Sequence, residues 1–138
     1  MIGGLIVTHG RLAHELLNAA KQIEGNLEGI EALSLEWTDT VDEGRAKIRL
    51  ALAGFQKGTK LIIFTDMFGG TPSNLCLSFL ETGQVEILTG VNLPMVLKFA
   101  SLHVDATELS DLAHLIREKG ANAIRVASDF LSAENGNT

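Results

Sequence analysis

The sequence predicts an α/β domain built on a mainly parallel sheet. Runs that read as strands alternate with runs of helical spacing along the whole chain, the pattern of successive βα units. The two leading strand candidates, Ile2 to Val7 and Leu61 to Thr65, are apolar without alternation, as strands covered by helices on both faces require. Each also stops at residues with chemistry, Thr8-His9-Gly10 and Asp66-Met67-Phe68-Gly69-Gly70-Thr71-Pro72. In an open sheet of this kind, sites form outside the carboxyl ends of strands, where the winding direction reverses.

Taken in order, the first strand ends at His9-Gly10 and a helix follows over Arg11 to Glu24. Leu12, Leu16, Ala19, Ala20 and Ile23 recur there at helical spacing, and Gly25 is a natural stop. Ile30 to Leu35 reads as a second strand, more polar (Glu31, Ser34) and so nearer the sheet edge. Thr40-Val41-Asp42-Glu43 matches a capping box, in which the Thr40 hydroxyl accepts from the Glu43 N–H while Glu43 reaches back. The helix it opens carries Val41, Ile48, Leu52 and Phe55 on one face and closes at Gly58. After the third strand, Thr71-Pro72 restarts a helix, with Thr71 as N-cap and proline where its missing N–H does no harm, running to about Leu80. Gln84 to Leu88 is the fourth strand, and Thr89 to Pro94 leads into another helix. Asp105 with Glu108 reads as a cap for a helix through Leu109, Leu112 and Ile116 to Gly120. Ala123 to Ala127 reads as a short fifth strand, and the tail from Asp129 to Thr138 as frayed.

Bulk properties narrow the function classes. The chain has 138 residues, 46% of them hydrophobic and 20% charged, which fits one globular domain with a real core. A net charge of -6 argues against nucleic acid or an anionic membrane as the main partner. The single cysteine, Cys76, allows no intrachain disulfide, and a reducing cytoplasm is expected. No signal peptide is read at the N-terminus, and no apolar run approaches the roughly 20 residues of a membrane helix.

At the end of a strand and followed by glycine, His9 sits at the sheet rim. Its imidazole can attack phosphorus through one ring nitrogen while the other donates to a carboxylate that fixes the tautomer and supports the developing charge. Asp66 is that carboxylate if the first and third strands are neighbours. Gly69, Gly70 and Thr71 lead into a helix N-terminus, where free N–H groups favour an anion. The Thr71 hydroxyl either caps the helix or meets the phosphate. Asp66 by itself also fits a simple loop cap.

Thr8-His9-Gly10, Asp66 to Asn74 and Thr89-Gly90-Val91-Asn92-Leu93-Pro94-Met95 together resemble the IIA component of mannose-family phosphotransferase systems, in the same order over nearly the whole chain. The resemblance implies a doubly wound sheet of order 2-1-3-4 with helices on both faces. It also implies a short antiparallel fifth strand exchanged between the subunits of a homodimer, within a domain spanning residues 1–128. It implies a phosphoryl group taken from phospho-HPr onto His9, oriented by Asp66, with Met67, Gly69, Gly70 and Thr71 contacting phosphate. The group then passes to a IIB protein, with membrane IIC and IID components beyond it. The best-known relative carries its IIB domain on the same chain, so a separate IIB is expected here. No cofactor is implied.

Other residues read more plainly. Phe68 is either a lid over the core or a partner-docking residue, and docking is the preferred reading. His14, one turn into the first helix, either approaches the site or is a solvated helix residue, the preferred reading. His103 and His114 read as surface histidines. His9 and His14 are five apart and do not share a helical face, so no metal site is expected. Cys76 reads as a small core residue, and Trp37 as packing or rim contact only. The alternative function is a regulatory module of the same fold, switched by the phosphorylation of His9. A response-regulator receiver is rejected because Thr8-His9 stands where its acidic pair belongs. The phosphotransfer subunit of dihydroxyacetone kinase matches the Asp66 loop less well.

Overall fold

The computed structural model describes residues 1–134. Four parallel strands form one sheet: β1 (Ile2–His9), β2 (Ile30–Leu35), β3 (Lys60–Thr65) and β4 (Val85–Thr89), in spatial order β2-β1-β3-β4. β1 therefore lies between β2 and β3, with Thr8 opposite Ser34 and Val7 opposite Thr65. Winding reverses direction beside β1, and the carboxyl ends of β1 and β3 come side by side as the sequence reading required.

Helices cover both faces. α1 (Leu12–Glu24), α4 (Leu93–Leu102) and α5 (Leu109–Asn122) pack on the face carrying Ile2, Ile6, Ile62 and Phe64. On the other face, α2 (Val41–Ala53) and α3 (Thr71–Leu77) meet Leu5, Val7 and Ile63. The split follows from the two-residue period of a strand, which sends Ile6 one way and Leu5 and Val7 the other. No helix among the described residues is long and apolar enough to cross a membrane.

Several local expectations hold. Thr40 caps α2 with both halves of the capping box formed, the Glu43 N–H donating to Thr40 Oγ1 at 3.1 Å and the Thr40 N–H to Glu43 Oε1 at 3.2 Å. Gly25 ends α1, and Pro72 stands in the first turn of α3.

Others need correction. α1 buries Ala13, Leu17 and Ala20, a face displaced from the predicted one, and Leu12 and Ile23 are exposed. The Ala13 N–H donates to the buried Thr8 hydroxyl at 2.7 Å, which ties the first turn of α1 to β1. α2 ends at Ala53, because the Gly54 and Phe55 amides turn back to Ala51 and Leu52 in tighter bonds. Ile48 is fully buried in that helix, whereas Val41 stays exposed. The N-cap of α3 is Gly70, whose carbonyl accepts the Asn74 N–H at 2.9 Å, and Thr71 makes no capping bond. α3 stops at Leu77, after which the chain tightens into turns. Glu108 precedes α5 without a side-chain capping bond, so the Asp105–Glu108 cap is not formed.

The fifth strand is also absent among the described residues. α5 continues to Asn122, residues 124–126 pair with no strand, and the chain re-enters a helix, α6 (Ala127–Glu134). Ile124 and Val126 have strand-like side chains, but β preference is decided by what a residue packs against. Within this chain both lie exposed. Residues 129–134, predicted as frayed tail, belong to α6, and 135–138 lie outside the described residues.

Candidate active site

His9 is the last residue of β1. Gly10 follows with φ +54, a left-handed conformation that glycine adopts without strain, and the chain turns at once into α1. Asp66 follows β3 directly. Because Val7 and Thr65 are paired across β1 and β3, the two rim residues face each other, and Asp66 Oδ2 lies 2.7 Å from His9 Nδ1. The same oxygen accepts the His9 backbone N–H at 2.9 Å, while Asp66 Oδ1 accepts the Met67 N–H at 2.9 Å. One carboxylate thus fixes the imidazole, the strand end and the start of the following loop.

The tautomer follows from the partner. A carboxylate can only accept, so Nδ1 carries a proton, and in the neutral ring Nε2 is the nitrogen with the free lone pair. The imidazole is 24% exposed and the carboxylate 12%, a rim position open to a large reactant.

The glycine loop closes in from a second side. A Cβ on Gly70 would stand 3.0 Å from His9 Cε1 and 3.1 Å from Met67 Cγ, so any larger residue would press on the ring. The Gly69 carbonyl accepts from Asn74 Nδ2 at 3.3 Å. Met67 and Phe68 project outward, 55% and 74% exposed. Thr71 is exposed and its hydroxyl is not engaged in capping. Thr89 closes β4, opposite Thr65.

The remaining histidines separate clearly. His14 is half-buried and its Nδ1 lies 2.9 Å from Ser34 Oγ, so it is held against β2 and is not a freely solvated residue. His103 is buried, against expectation: its Nδ1 donates to the Ile2 carbonyl at 2.9 Å and its ring stacks on Phe99. His114 is exposed as expected, with Nδ1 on the Ser110 carbonyl. Cys76 is buried in the α2–α3 side of the core, and burial pushes its thiol up to about 12. Among the described residues no cluster of three metal-ligating side chains forms.

Trp37, expected only as packing or rim contact, is a direct neighbour of His9. Trp37 stacks on the imidazole with ring centroids 4.9 Å apart and planes at 21°. The available signal was its place two residues after β2, the strand beside β1, which puts it on the same rim.

The site is a rim and not a cavity. A concavity of about 340 Å³ lies between α4 and α5, lined by Leu102, Ala106, Asp111 and Leu115, and contains none of the residues around His9. Residues 3–116 match the family model described as PTS system fructose IIA component, EIIA-man. The chain belongs to that family.

Similar proteins agree with that assignment. The chain is 30% identical over 135 residues to the PTS system fructose-specific EIIA component of Bacillus subtilis (strain 168), covering 95% of this chain and 90% of that one. It is 24% identical to the PTS system mannose-specific EIIAB component of Escherichia coli (strain K12), covering 88% of this chain but only 38% of that longer protein. A mannose/sorbose specific IIA subunit of the phosphotransferase system from Enterococcus faecalis superposes with a TM-score of 0.81 at 25% identity, over 91% of this chain and 93% of that one. The chain is accordingly a IIA component of the mannose/fructose branch of the sugar phosphotransferase system.

Proposed function

We propose that this IIA component is a phosphocarrier whose phosphoryl acceptor is Nε2 of His9. The observation that carries the proposal is the His9–Asp66 pair at 2.7 Å, which engages Nδ1 and leaves the other nitrogen as nucleophile. Phospho-HPr is the donor. Nε2 attacks phosphorus as the bond to the donor's histidine breaks, and Asp66 supports the positive charge that develops on the ring. A IIB protein then accepts the group, and the membrane IIC and IID components couple its transfer to sugar uptake. This places the chain in the cytoplasm.

Met67, Gly69, Gly70 and Thr71 are the phosphate contacts in this reading. The close approach of Gly70 to His9 supports it, as does a Thr71 hydroxyl left out of the helix cap. Phe68, exposed beside the site, is the docking residue for both partners. The exposed Ile124 and Val126 support a homodimer, in which a second copy would cover them.

Incubation with phosphorylated HPr tests the proposal. The expected label is acid-labile and base-stable, and it is lost in His9→Ala. A base-labile acyl phosphate on Asp66, or full labelling of His9→Ala, would overturn it.

A further inference from the structure

We infer that Trp37 is a positioning residue for His9: its indole closes one face of the imidazole and holds the ring as it gains and loses a phosphoryl group. The inference rests on the reading of His9 as the phosphoryl acceptor.

Two independent features carry it. The first is the stack itself, at 4.9 Å and 21°, which lies in the range of favourable offset aromatic pairs. An indole left 78% exposed gains little from burial, so the ring contact is the main thing its placement achieves. The second is the way the Trp37 turn is built. The Asp39 N–H donates to the Glu36 carbonyl at 3.0 Å, and the Glu36 N–H donates to Asp39 Oδ2 at 2.8 Å. Lys47 Nζ, from α2, donates to the same oxygen at 2.6 Å. The capping box at Thr40 anchors the far end of the turn, and the Gly10 N–H donating to the Leu35 carbonyl at 3.0 Å joins the near end to the His9 loop. Trp37 is thus held over His9 by bonds on both sides of it.

The chemistry gives the stack a purpose. An Nε2-phosphorylated ring whose Nδ1 keeps its proton is an imidazolium, and an indole face attracts a cation. Asp66 meets that charge in the plane of the ring, and Trp37 meets it from one face. With Nδ1 tied to Asp66 and that face covered, the ring cannot swing away from the line of attack.

Phosphoramidate separates this role from partner docking, because it phosphorylates histidine without any protein partner. In that reaction the Nε2 lone pair forms the N–P bond while the P–N bond of phosphoramidate breaks, its already protonated nitrogen leaving as ammonia. We expect Trp37→Ala to be labelled about tenfold more slowly than the native protein, and Trp37→Phe to stay within about threefold of it. Trp37 is the single tryptophan of a chain without tyrosine, so intrinsic emission reports on this stack alone. It should change as the native protein is labelled and stay constant in His9→Gln under the same treatment. Equal labelling of Trp37→Ala and native protein, a Trp37→Phe as slow as Trp37→Ala, or emission unmoved by labelling would each overturn the inference. A native protein that takes no label at all would instead overturn the reading of His9, and this inference with it.

Discussion

Two histidines stand at opposite ends of β1, and they are built alike. His9 ends the strand, donates from Nδ1 to Asp66 and stacks on Trp37. His103, at the end of α4, donates from Nδ1 to the carbonyl of Ile2, the first residue of β1, and stacks on Phe99 with centroids 4.5 Å apart. Tautomer and stacking are therefore the same in both. What differs is the surroundings. The His103 residue is only 2% exposed and its acceptor is a neutral carbonyl. His9 opens to the rim and its acceptor is a carboxylate, which stabilises a charged ring where a carbonyl does so much less. The first imidazole is open and paired with a carboxylate, as the proposed chemistry needs, and the second is enclosed by packing.

The largest expected effect comes from removing the carboxylate that sets His9 apart. Asp66→Ala removes the carboxylate and leaves His9 with a free Nδ1. Transfer from phospho-HPr should slow by about a hundred- to ten-thousandfold, the range that orienting and acid–base partners supply elsewhere. Quenched-flow labelling measures it, with circular dichroism to show that the sheet persists. A loss of under tenfold would mean that the carboxylate serves only the backbone of His9 and Met67.

The complementary change is His103→Ala. It should lower stability by about 2–4 kcal/mol, through a cavity beside Phe99 and an unpaired Ile2 carbonyl. Urea denaturation reads the loss. Labelling of the folded fraction should still be complete, because the two rings lie at opposite ends of the strand.

This contrast shows what the sequence makes legible. The His9 end could be read because its parts are local: an apolar strand that stops at His9, a second that stops at Asp66, and a glycine pair opening a helix. Only the adjacency of β1 and β3 joins them, and the alternation of strands and helices with the family resemblance supplied it. His103 was misread as a surface residue because its burial depends on Ile2, Gly29 and Phe99, which are remote in sequence from one another. The stack of Trp37 on His9 escaped for the same reason. The segment 123–127 failed differently: Ile124 and Val126 carry a local strand signal, but pairing is a property of neighbours that this segment does not have within its own chain.

A smaller effect probes the space around His9 without touching its partners. Gly70→Ala places a methyl group about 3.0 Å from His9 Cε1, with a backbone φ of -78 that alanine tolerates. Stability should barely change, whereas phosphorylation of His9 should slow about five- to tenfold as the ring is displaced. Parallel labelling and thermal melting separate the two. An unchanged labelling rate would show that the loop yields and does not position the ring.

The smallest effect concerns how each histidine's aromatic cover is supported. Phe99 is fixed by burial, but Trp37 depends on a surface turn tied by Asp39 and Lys47. The Lys47 hydrogen bond, with the Glu36 amide after it, holds the Asp39 carboxyl below its ordinary value. A depressed carboxylate contributes above its unfolded-state value, near pH 4, and that contribution fades as pH falls through the lower folded value. Asp39→Asn should therefore shift the urea midpoint slightly and by a constant amount at neutral pH, and by nothing in strong acid, where both side chains are uncharged. Added salt should shrink the difference, since exposed ion pairs are screened. In the His103→Ala variant the loss relative to native protein should hardly respond to salt, because packing supplies it. If Asp39→Asn and His103→Ala responded alike to salt, the two ends of β1 would not be supported differently, and the contrast between them would fail.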